Sequence, residues 1–240
     1  MTMNSEAAVD SATGAFKPSP RWACAELLLA GALLVAGLTV PHVVFSAGAT
    51  PWLAAIGVLF LCWRGPGWRW VGFGRPASIR RTVAISLLVG VGFQLFGTFA
   101  LEPAIARLTT GKLPDGSIFR SLIGDERQLA YWIGVAWTLA AVLEEVVFRG
   151  WIMTRLAEVG RFSTGAWVFA ALTSSALFGA VHLYQGVSGM VANGVTGLVL
   201  AGVYLGTGRN LWAAIGTHGV LDTAGFVLIY LGLYPGVTSG

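Results

Sequence analysis

At 240 residues, the chain is 55% hydrophobic and only 11% charged, with a mean hydropathy of +0.73. A soluble domain carries about 25% charged residues, so this composition excludes a water-soluble fold and indicates a polytopic membrane protein with no separate soluble module. The net charge is a modest +4, and the basic residues fall mainly in loops, as orientation signals rather than a nucleic-acid footprint.

Residues 1–21 are polar and mixed, with Glu6, Asp10, Lys17 and two prolines. They read as a disordered cytoplasmic N-terminus, because the acidic residues come first and the apolar run that follows is long enough to stay. That run, Trp22 to about Phe45, is the first expected span, with Glu26 close enough to its cytoplasmic end to reach the interface. A second, short run covers about Ala49–Trp63. Five arginines (Arg64, Arg69, Arg75, Arg80 and Arg81) and interleaved tryptophans then mark an interfacial loop on the cytoplasmic side. Cys24 and Cys62 lie in different runs without ligand-like spacing and read as small core residues.

The third run is Thr82 to about Leu101. Residues 102–128 form the longest polar connection, suited to the outer side, and could hide an eighth segment. Four more runs follow: Tyr131 to about Leu156, Ala166–Tyr184, about Val187–Leu205, and Leu211 to about Leu231. The expected fold is therefore all-α, a membrane helical bundle of about seven (six to eight) transmembrane helices, with residues 22–240 as one domain. Alternating sides from a cytoplasmic N-terminus puts eleven of the fifteen basic residues inside. Gly202 and Gly206, with Gly189, Gly194 and Gly197 nearby, suggest close backbone approach between the later helices.

The fourth run carries an anomaly: Glu144, Glu145 and Arg149 sit within apolar sequence. Each ionisable group near mid-bilayer costs roughly 2.5–3.5 kcal/mol on insertion scales and is functional by default. Glu145 and Arg149, four apart, can form a buried ion pair on one helix face; Glu144 is left without a partner on its own helix. The fifth run adds Phe178 and His182 at the same spacing, and the seventh adds His218 and Asp222. Two histidines and a glutamate supply what water activation requires, by a general base or by a metal. Measured from the Arg161 turn, Glu144 and His182 differ in depth by about 6 Å. His218 joins them only if the 158–164 turn protrudes, which places the site within the bilayer, nearer the cytoplasmic side.

Glu144-Glu145-x-x-x-Arg149, Phe178-x-x-x-His182 and His218-x-x-x-Asp222, in that order, resemble the three motifs of the CPBP intramembrane proteases. This family holds the CAAX prenyl endopeptidase, bacterial Abi-type relatives and bacteriocin-processing proteins. Phe148-Arg149-Gly150 and Gly208-Arg-Asn-Leu-Trp212 extend the likeness, which covers about residues 128–232 as a protease core. The resemblance implies peptide-bond hydrolysis inside the membrane: Glu144 with His182 activates water, His218 and residue 222 bind the oxyanion, and Arg149 holds Glu145. Residue 222 departs from the CAAX endopeptidase, which has Asn there. An ionised Asp accepts but cannot donate, so Asp222 either is protonated or orients His218, and the second reading is preferred because the spacing permits it.

The family also carries a metalloprotease name, and Glu144, His182 and His218 would be the ligands of a Zn2+ site. No His-Glu-x-x-His helix occurs, and a Glu–His base needs no metal, so the metal-free route is preferred. The implied partners are the bilayer and a membrane-associated peptide or protein, with a lipidated C-terminus as one option, in a bacterial plasma membrane. Three other readings compete. Gly186-Val-Ser188-Gly189 looks like the Gly-x-Ser-Gly of rhomboid serine proteases, with His218 as base. A non-catalytic scaffold could retain the motifs as structure, and a transporter could use the carboxylates as a proton relay, although no inverted repeat is visible.

Overall fold

The computed structural model describes residues 19–39, 56–59 and 69–238. The expected disordered head, most of the second run with Cys62, and the first part of the arginine-rich loop lie outside them. All regular elements among the described residues are helical. They are α1 (Pro20–Thr39), α2 (Ile79–Leu108), α3 (Glu126–Val159), α4 (Thr164–Val181), α5 (Gly186–Gly206), α6 (Leu211–Tyr230) and a short α7 (Pro235–Thr238). Five of them, α2 to α6, are long and apolar enough to cross a membrane. An all-helical bundle with five candidate membrane spans is thus observed, which supports an integral membrane protein, without the full count of about seven spans among the described residues.

Helix starts are set where short polar side chains can take up orphan amides. Ser78 accepts from the Arg81 amide, Asp125 from Arg127 and Gln128, Ser163 from Ala166, and Asn210 from Ala213. No eighth span hides in 102–128: α2 simply continues to Leu108, and a 3-10 turn follows over Ser117–Leu122. That turn packs on the chain's other end, with Leu122, Ile229 and Val237 as a buried cluster.

α6 lies along α2 and α3, and α4 lies along α5. At the α2–α6 crossing, a Cβ on Gly90 would sit 2.7 Å from Val220 Cγ1 and 2.9 Å from the Thr217 carbonyl, so only glycine allows it. On α5 the close approach falls at Gly197, against Ser175 of α4; at Gly202 and Gly206, singled out by their spacing, a Cβ would meet nothing within 4 Å among the described residues. Those two glycines are corrected from interface to open positions.

Two further readings are corrected. Cys24 is exposed rather than core. Glu26 is buried rather than interfacial: its carboxylate accepts from Arg155 Nε at 2.7 Å and from Trp151 Nε1 at 2.9 Å. Arg155 also donates to Glu158 at 2.7 Å, and Glu158 accepts from the Ser19 amide at 2.7 Å. This buried network ties the start of α1 to the end of α3.

The protruding turn required by the helix count is present. A Cβ on Gly150 would lie 3.5 Å from Val71 and 3.7 Å from Leu211. α6 therefore begins level with Gly150, nine residues or about 13 Å short of Val159 on the helix axis. The turn Arg69–Phe73 is wedged in at the same level. Gly72 (φ +102°) presses against the Arg209–Leu211 backbone, and Tyr204 donates to the Val71 carbonyl at 3.2 Å. A packed layer thus closes the bundle on the arginine-rich side of the acidic cluster.

Candidate active site

The acidic cluster sits in an unusual stretch of helix. Over Ala136–Glu144 and Val146–Met153 the α3 backbone bonds in the wider π register, which is rare and concentrates at functional sites. Glu144 lies 18 residues from Glu126 and 15 from Val159, so the cluster falls near the middle of a 34-residue helix. The two adjacent glutamates diverge in environment. Glu145 is fully buried, whereas the Glu144 side chain retains 15% exposure toward a cavity of about 260 Å³.

Glu145 and Arg149 form the expected pair, with Nη1 donating to Oε1 at 2.7 Å. The guanidinium also donates from Nη2 to the Gly197 carbonyl of α5 at 2.9 Å and lies 4.8 Å from the Phe178 ring centroid on α4. His218 Nδ1 meets the same Glu145 Oε1 at 2.9 Å. One buried carboxylate–guanidinium pair therefore links α3 to α4, α5 and α6. Ser174 adds a bond from α4 to the Phe148 carbonyl at 2.8 Å.

His218 is oriented by Glu145, not by Asp222 as the spacing suggested. Since the carboxylate accepts at Nδ1, that nitrogen carries a proton. Nε2 faces Asp222 Oδ2 at 3.6 Å and Glu144 Oε2 at 3.9 Å, both beyond hydrogen-bond length. The four-residue step does bring Asp222 close; the π-register helix brings Glu145 closer.

His182 ends α4. Its Nδ1 lies 2.7 Å from the Phe178 carbonyl, which can only accept, so Nε2 of the neutral ring carries a lone pair. The Phe178 ring packs between Phe148 (5.1 Å), His182 (4.8 Å) and His218 (5.9 Å, edge-on). Glu144, His182, His218 and Asp222 all line the cavity, together with Phe178. No hydrogen bond joins Glu144 to His182. Among the described residues, no three His, Cys, Asp or Glu side chains are placed to hold a metal ion. As they stand, Glu144, His182 and His218 do not make the three-ligand set of a zinc site, and no step is routed through one.

Ser188 is not brought to His218. It is buried and donates to the Lys112 carbonyl at 2.6 Å, with Thr109 and Thr110 hydroxyls at 3.0 and 3.1 Å. It pins the α2–α3 connection to α5 and does not line the cavity. The Ser188/His218 pairing of the rhomboid-like reading is thereby overturned.

The cavity extends from Glu144 away from the arginine-rich end. Pro114, Asp115, Tyr184, Gln185, Tyr234 and Val237 contribute to its walls. The site is thus central on α3, and the Gly72 and Leu211 layer lies between it and the arginine-rich end. At the loop end, the Ser117 hydroxyl and amide hold the Asp115 carboxyl below the usual aspartate range. Burial, together with the Glu102 carboxyl it donates to at 2.7 Å, pushes the Tyr234 hydroxyl well up, so it stays a donor.

Gln94, Glu102, Tyr184, Asn193 and Tyr234 are cavity residues that the motifs did not mark. Gln94 and Asn193 could have been flagged as lone carboxamides inside apolar runs; Tyr184 and Tyr234, at run ends, carry no such signal.

Site and fold together define a polytopic membrane protein with paired carboxylates and histidines gathered in an internal cavity. The family described as type II CAAX prenyl endopeptidase Rce1-like matches residues 126–224, from the start of α3 into α6. Over that segment, less than half of its length, the chain is similar to the CAAX protease family that its motifs resemble. No curated protein and no solved structure matches the chain.

Proposed function

We propose that the protein is an intramembrane endopeptidase that hydrolyses a peptide bond with a water activated by Glu144 and His182. The observation that carries this reading is the convergence of Glu144, His182, His218 and Asp222, from three helices, on one cavity. Glu144 takes a proton from water as the oxygen attacks the scissile carbonyl carbon, and the carbonyl π pair moves onto its oxygen. His182 Nε2 accepts a hydrogen bond from the same water and holds it. His218 Nε2, when protonated, donates to the oxyanion. Collapse breaks the C–N bond, and the proton held at Glu144 passes to the departing amine. Glu145, Arg149 and Phe178 touch none of the reacting atoms and act by positioning His218, His182 and α3.

The substrate is a membrane-associated peptide or protein, and a prenylated C-terminal peptide is one class that the family supports. The excess of basic residues on the α1/α4 end orients the N-terminus to the cytoplasm. Glu144→Gln and His182→Ala should each lower turnover at least 1000-fold, as loss of a general base or its partner does, with unchanged protein abundance. Membrane-proximal peptides from cells carrying the active protein and the Glu144→Gln variant are to be compared. Identical peptide pools, or variants that fail to accumulate, would overturn the reading.

A further inference from the structure

Three hydroxyls stand on the cavity wall, and they differ in where their protons go. Thr196 donates to the Ala192 carbonyl at 3.1 Å and Tyr234 to Glu102 at 2.7 Å. Tyr184 is different, and a chain of amides fixes its polarity. Asn193 Nδ2 lies 2.9 Å from the Gly189 carbonyl, which can only accept, so the amide nitrogen must face that way. Its second N–H then goes to Gln185 Oε1, also at 2.9 Å. With that oxygen engaged, Gln185 presents Nε2 to the Tyr184 hydroxyl at 3.1 Å, and Tyr184 accepts. Gln185 can lie there because residue 189 is glycine: a Cβ would collide with the Gln185 side chain. Among the described residues, no protein acceptor takes the Tyr184 proton.

Tyr184 is two residues beyond His182, and the two rings stand 5.8 Å apart. Across the cavity, Asp222 when ionised has no proton to give, which leaves His218 Nε2 as the donor on α6. We propose that Tyr184 is a further catalytic residue, whose O–H donates to the substrate carbonyl oxygen as it becomes the oxyanion. No proton is transferred: Tyr184 keeps its hydrogen through attack and collapse, and the bond to Gln185 holds its lone pair away from the substrate. This rests on the endopeptidase reading above.

The test uses the full chain in proteoliposomes with a defined pool: farnesylated and unmodified peptides ending in Cys-aliphatic-aliphatic-X, and single-span membrane peptides. The member cut fastest serves as the probe for wild type, Glu144→Gln, Tyr184→Phe, Asp222→Asn and the Tyr184→Phe/Asp222→Asn pair. Tyr184→Phe keeps the ring and should lower kcat about 100-fold, the scale of one lost oxyanion donor, with KM within threefold and an unchanged Tm. On the Asp222→Asn background, where residue 222 can itself donate, the same change should cost less than threefold. A Tyr184→Phe enzyme that keeps more than a third of wild-type kcat overturns the inference, as does a loss that follows a fall in Tm. If Glu144→Gln cleaves as well as wild type, the endopeptidase reading fails instead, whatever Tyr184 does.

Discussion

His218 is held at one nitrogen and open at the other, and this asymmetry separates the acids around it. Glu145 fixes Nδ1 at 2.9 Å, while Asp222 and Glu144 stand off Nε2 at 3.6 and 3.9 Å. Asp222 is therefore dispensable as an anchor. Asp222→Asn should retain substantial activity, within about tenfold of wild type, since Asn can donate where Asp cannot; a dead Asn variant of normal abundance would contradict this. Glu145→Gln should be far more damaging, because the carboxylate serves both His218 and Arg149. The division between the two glutamates was legible in the sequence as far as spacing reaches: Glu145 is four residues from Arg149, and Glu144 is not. That Glu145 also takes His218 was not legible, because it depends on how α3 and α6 pack, across 73 positions of sequence.

At the scale of elements, α3 is the part to which the others are fitted. Its buried Glu145–Arg149 pair reaches α5 through Gly197 and α6 through His218. Removing one member of a buried pair leaves the other charge uncompensated, at about 3–5 kcal/mol. Arg149→Met should therefore lower unfolding stability in detergent by that order, and a loss under 1 kcal/mol would show that α3 does not depend on the pair. The second buried network gives a different expectation. Glu26→Gln should free α1 from Arg155 and Trp151 and expose residues 20–32 to protease, with α3 to α6 still protected. Helix existence was readable from the apolar runs, and α4 to α6 agree with those runs to within three residues at each end. The burial of Glu26 was hidden, since its partner Arg155 lies 129 positions away. Small-residue spacing misled for a related reason: Gly202 and Gly206 share a face, but among the described residues that face meets no helix.

For the molecule as a whole, the helices are not level. α6 and the Arg69–Phe73 turn start about 13 Å inside the end of α3, and their packed layer lies between the acidic cluster and the arginine-rich turns. Counting residues from each loop made a protruding 158–164 turn a condition for His218 to join the site, and the turn does protrude. The direction of the cavity was not foreseen, because it depends on which loops fold inward, and Tyr234 and Val237 follow the last apolar run without any mark of that role.

Among the described residues, that layer gives the cavity a floor, and the cavity extends toward the opposite end. On the endopeptidase reading, water enters and a polar cleavage fragment leaves through the face built by residues 113–122, 183–185 and 231–238. Catalysis should then be vectorial. In vesicles sorted by orientation, a membrane-impermeant active-site inhibitor should stop turnover from that face alone. Inhibition from the arginine-rich face would mean that the layer opens. If the arginines face the cytoplasm, as proposed, each cut would release its soluble fragment on the far side of the membrane, so proteolysis here would double as export.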